Sequence, residues 1–156
     1  MIKMKIGFVL LCFVGLISCN KIDVNKKLAK ELKESPESII LGNNNLVLTT
    51  FLWRDFMPIA EEGGSSLACV NKLTDTNNNG ILDEINLRKQ YLIKGNEIWE
   101  ADYIEVTNES EFVLQGFVND GPKWGPDIEV DVVCEFEYLG NIYRILAKSQ
   151  MIEATW

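Results

Sequence analysis

Apolar and polar residues alternate most regularly in "DIEVDVVCEFEYL", Asp127 to Leu139. Ile128, Val130, Val132, Cys134, Phe136 and Tyr138 fall on one side of an extended chain. Glu129, Asp131, Val133, Glu135 and Glu137 fall on the other. A period of two predicts a half-buried antiparallel strand, apolar face inward. Leu46–Trp53, Leu67–Leu73 and Glu111–Val118 read as further strands. Arg88–Val106 reads as a hairpin folded at Gly95-Asn96, and a second tight turn at Gly140-Asn141 leads into a returning arm from Ile142. Gly42-Asn43-Asn44-Asn45 is turn chemistry, and Ala60–Ser66 and Asn119–Asp127 are loops rich in Gly, Pro, Ser and Asp. About seven to nine short strands with turns between them predict an all-β domain over residues 39–156, an antiparallel β-sandwich.

The N-terminal pattern is of another kind. Ile6 to Ile17 is an apolar run of 12 residues behind Lys3 and Lys5, and it ends in Leu16-Ile17-Ser18-Cys19. Twelve residues suit a signal peptide and fall short of a membrane span. The ending resembles the lipobox of bacterial lipoproteins. That resemblance implies removal of residues 1–18, a diacylglyceryl group on the Cys19 sulfur and acylation of its amine. The membrane is then a partner through lipid, since two or more acyl chains give stable anchoring. Asn20, where an aspartate would resemble an inner-membrane retention signal, favours an outer-membrane address. An ordinary signal peptide with a chance cysteine, or an N-terminal anchor, is the alternative. Residues 19–38 then form the lipidated cysteine and a polar, lysine-rich tether. Its middle could be a short helix, but it lacks a sustained apolar face.

Composition narrows the function. The net charge of −8 becomes −10 once the leader with its two lysines is removed, and residues 39–156 hold 8 basic and 19 acidic residues. Such a domain repels nucleic acid and anionic headgroups, so it is expected to hang from its lipid and not lie flat. Histidine is absent, which excludes His-based triads and His metal ligands. Cys69 and Cys134 remain in a compartment that permits disulfides. A bridge would close a loop of about 65 residues, worth roughly 4 kcal/mol in the chain-entropy model. Two buried free thiols are the other reading, and the inward parity of Cys134 favours it. The strand layout looks Ig-like, although no Trp follows Cys69 at the expected short distance; Trp99 is the next.

Asp75-Thr76-Asn77-Asn78-Asn79-Gly80 matches D-x-[DN]-x-[DN]-G and resembles the opening of EF-hand and dockerin calcium loops. By that resemblance Asp75, Asn77 and Asn79 supply side chains to Ca²⁺, Ile81 its carbonyl, and Asp83 a carboxylate. The twelfth position is Asn86, not a bidentate glutamate, and strand-like runs flank the loop. A bare Asn/Gly turn satisfies the same residues. Trp53-Arg54-Asp55-Phe56 offers either a core tryptophan or an exposed Arg54–Asp55 pair, and Trp124 either a cap on the domain or a contact for a glycan or envelope protein. The expectation is a non-enzymatic binding or structural module. The alternatives are a hydrolase using carboxylates near Asp75, Asp83 and Glu84, and an inhibitor or immunity-type protein presenting Asn119–Asp127.

Overall fold

Period-two burial runs through the described residues, 23–60 and 62–156 of this computed structural model. Among them the order is β1 (Asp23–Val24), α1 (Lys26–Lys33), β2 (Ser38–Leu41), β3 (Asn44–Asp55), β4 (Leu67–Asp75), β5 (Asn86–Lys94), β6 (Glu97–Asp102), β7 (Glu105–Ser110), β8 (Val113–Gly121), β9 (Glu129–Tyr138) and β10 (Asn141–Thr155). The fold is all-β, as expected. Cys19 lies outside the described residues.

Neighbours in the sheet run β1-β6-β5-β9-β10-β3-β4-β8-β7, and β2 pairs with the start of β3. β10 joins the two halves. Its first part pairs with β9 as far as Met151↔Glu129, and its last residues, Ile152–Thr155, pair with Leu52–Asp55 of β3. The register breaks between Ala147 and Gln150, where Ser149 has φ +51°. Such a bulge bends and re-aims a strand. The β10–β3 pairing is parallel, so the sheet is mixed and not purely antiparallel. The sheet curls so that Leu48, Leu52, Cys69 and Leu73 share one core with Leu92, Val132, Cys134 and Phe136.

Two sequence expectations shift. The second arm of the hairpin stops at Asp102; after Tyr103 and Ile104 the chain enters β7, in the other half of the sheet. The stretch expected to be a tether is packed against the domain from β1 onward. Asn25 caps α1, its side-chain oxygen accepting from the Leu28 N–H at 3.0 Å. Ala29 and Leu32 lie three apart on one helix face and are buried against Tyr91, Ile93, Ile98, Val133 and Leu146. Val133 is the one apolar residue on the outward side of β9, and it marks where the helix sits. Burying a leucine such as Leu32 stabilises by about 1.5–3 kcal/mol and helps hold the short helix on the sheet.

Candidate functional site

The Asp75 loop closes one end of the curled sheet. Asp75 is the last residue of β4 and the last inward position of its alternation, 1% exposed. Its Oδ1 accepts from the Asn45 N–H at 2.9 Å and the Asn77 N–H at 3.1 Å. Its Oδ2 accepts from the Asn79 N–H at 2.8 Å and the Asn44 side-chain amide at 2.9 Å. Burial alone pushes the carboxyl pKa up, but the bonds from Asn79, Asn45, Asn77 and Asn44 outweigh it and hold it below the usual value. The side-chain amides of Asn77 and Asn79 both donate to the Asn43 carbonyl, at 2.9 and 2.7 Å. Asn78 and Gly80 supply the left-handed turns, φ +56° and +89°.

This geometry does not fit calcium. A carboxylate has about four lone-pair sites, and N–H donors occupy all four at Asp75. A cation there would face those donors. Asp83 is exposed, and the Ile81 N–H donates to Glu111 across the loop. Asp75, Asn77 and Asn79 come together as the sequence pattern predicts, but as a staple between this loop and the β2–β3 turn.

Inside the core, Cys69 and Cys134 are both buried free thiols. The Cys69 thiol contacts Asn71 Oδ1 at 3.2 Å. The Asn71 amide donates to Gln90 Oε1 at 2.7 Å and to the Tyr103 hydroxyl at 2.8 Å, and Tyr103 in turn bonds to Cys134. Gln90 Nε2 finds no partner among the described residues. Gly116 makes room for this arrangement, since a Cβ there would collide with the Tyr103 ring. Burial raises the Cys134 pKa to about 12, against a lowering bond from Tyr103; burial and the nearby Cys134 raise that of Cys69. Both therefore stay protonated at neutral pH and present no nucleophilic thiolate. The network is a polar link between the sheet halves; Asn71 and Gln90 signal it by occupying inward positions.

The opposite end is tied by Arg54, 3% exposed. Its Nε donates to the Ser65 carbonyl at 2.9 Å, Nη1 to the carbonyls of Gly125 at 2.7 Å and Lys123 at 3.3 Å, and Nη2 to that of Gly63. Arg54 thus joins the β3–β4 loop to the β8–β9 loop and lies 5.0 Å over the Phe56 ring. The exposed Arg54–Asp55 pair is not formed. Arg54 continues the inward parity of Leu46, Leu48 and Leu52, while Trp53 points outward, its ring between those of Phe51 and Phe117. Trp124 is 7% exposed and caps this end, with Lys94 Nζ 4.8 Å from its ring centroid. It is therefore not displayed for a glycan or a partner.

The carboxylates of the hydrolase reading are not gathered: Asp75 faces inward, whereas Asp83 and Glu84 are exposed. A groove of about 560 Å³ lies between the α1–β2 connection and β10, lined by Ile39, Ile142, Tyr143 and Arg144 among others, with no carboxylate among the described residues of its walls. Comparison with protein-family models, curated proteins and solved structures found no match to this chain.

Proposed function

We propose that this chain is a lipid-anchored lipoprotein of the bacterial cell envelope, a non-enzymatic binding or structural module with an Ig-like arrangement. One observation carries the reading: the basic, then apolar, leader ending in Leu16-Ile17-Ser18-Cys19. Its outer-membrane address follows from Asn20. The strand order supports the Ig-like part. β3-β4-β8-β7 and β10-β9-β5-β6 follow the A-B-E-D and G-F-C-C′ successions of that fold. Cys69 on β4 and Cys134 on β9 then occupy the B and F strands. The absence of enzymatic activity is favoured by where the reactive groups lie. The thiols are buried and protonated, and the Asp75 carboxylate is occupied by donors.

The test is metabolic labelling. The full chain and a Cys19→Ala variant are expressed in a bacterial host fed an alkyne analogue of palmitate. The wild type takes up label and fractionates with membranes, and Cys19→Ala does neither. Unlabelled wild type overturns the reading.

A further inference from the structure

We propose that the Arg54 end of the domain is a second membrane contact, seated end-on among the headgroups of the bilayer; this rests on the lipid-anchor reading above. Large apolar side chains are exposed there. Ile59 is 94% exposed, Trp156 82% and Met57 44%. Arg54 ties together the loops on which Met57 and Ile59 sit, through the carbonyls of Gly63, Ser65, Lys123 and Gly125. The Phe56 N–H also donates to the Thr155 carbonyl at 2.8 Å, and the Phe56 and Trp156 rings lie 5.5 Å apart. The opposite end exposes Thr76, Asn77, Asn78 and Asn79 in the Asp75 loop, with Ile40, Leu139 and Ile142 exposed around it.

The anchor reaches this end and not the other. β1 pairs Val24 with Glu97, and the Asn25 N–H donates to Asn96 in the β5–β6 turn. That turn adjoins the β8–β9 loop through Lys94 and Trp124. Cys19 precedes Asp23 by four residues, which span no more than about 14 Å. The 10 residues of β9 extend roughly 33 Å, so a lipid on Cys19 cannot seat the domain upright on the Asp75 loop.

Charge at this end is mixed: Glu62, Asp120 and Asp127 are exposed in its loops, and the cations come from the helix beside them. Lys26 and Lys27 open α1 beside the β5–β6 turn, both exposed, and no acid stands in that first turn. Cations at a helix N-terminus oppose its dipole, and no ion pair of either lysine appears among the described residues. Lipid phosphates would offset that local cost. An exposed tryptophan with an apolar neighbour suits the headgroup level. An end-on seat also keeps the acidic flanks of the domain away from the membrane.

The experiment bypasses native acylation. Residues 19–156, which contain the whole described fold, are coupled through the Cys19 thiol to a maleimide lipid in phosphatidylcholine vesicles. The buried Cys69 and Cys134 do not compete for the maleimide. Vesicles with brominated acyl chains should lower the tryptophan emission of the wild type. The loss should disappear in Trp156→Phe and shrink in the Met57→Asp, Ile59→Asp double variant. Tethered protein whose emission is indifferent to bromine overturns the proposal. So does quenching that Trp156→Phe leaves intact, or an envelope protein crosslinking at Ile59 in place of lipid. Because the tether is chemical, a failed contact is distinct from a failed palmitate label.

Discussion

Each end of the curled sheet is held by one buried charged side chain, and the two are opposites. At one end Asp75 gathers N–H donors from Asn45, Asn77 and Asn79; at the other Arg54 gathers the carbonyls of Ser65, Gly63, Lys123 and Gly125. Both pair loop backbone groups with a buried side chain and so fix the loops to the sheet. The surfaces they support differ. The Asp75 loop shows water a row of Asn and Thr, whereas the Arg54 loops show it Ile59, Met57 and Trp156. One way of stapling a loop therefore supports two loops with different surface chemistry, one polar and one apolar.

The largest effect should come from breaking the cationic staple. Arg54→Ala removes four bonds that join two loops, together with a buried side chain, and should cost about 3 kcal/mol in urea unfolding. Arg54→Lys keeps the charge but not the fork, so it should recover only part of that loss. Asp75→Ala should cost about 2 kcal/mol, since its donors have fewer alternatives than water-facing groups. Its pH dependence identifies the mechanism. The Asp75 pKa is lowered in the fold, so its contribution is complete above the unfolded value of about 3.9 and is lost as pH falls through the folded value. The gap in Tm between wild type and Asp75→Ala should therefore narrow between pH 6 and pH 3. Millimolar calcium should leave both Tm values where they are; a rise in the wild type alone would restore the metal reading.

A third substitution probes the link between the two halves. Gly116→Ala would press a methyl into the Tyr103 ring and should cost roughly 1–3 kcal/mol, with Cys134 becoming reactive to thiol reagents in the folded protein. The smallest effect on folding belongs to Ile59→Asp, within about 0.5 kcal/mol, because the side chain is almost fully in water. That contrast sharpens the comparison: Arg54 should govern stability and Ile59 only attachment.

Much of this could be read along the chain. The alternation of β9 fixes its inward face, and the Gly95-Asn96 turn places the hairpin of β5 and β6. The same parity, followed through Leu46, Leu48 and Leu52, already turns Arg54 inward, although a charged residue beside Asp55 reads more readily as surface. Asn71 and Asp75 are polar residues at inward positions of β4, a signal of internal hydrogen bonding that the calcium-like spacing obscures. The helix was harder to see. Only Leu28, Ala29 and Leu32 form its apolar side, and their partners come from β5, β6, β9 and β10, more than fifty residues away in sequence. The crossing at β10 depends on a bulge at Ser149, which no local propensity marks.

The lipid on Cys19 is the premise from which the orientation of the two ends follows, and intact-mass spectrometry of the protein extracted from membranes tests it most directly. The account predicts a chain that begins at Cys19 and carries the added mass of a diacylglyceryl group, with a further acyl chain on its amine. A retained leader, or an unmodified thiol at Cys19, would contradict it.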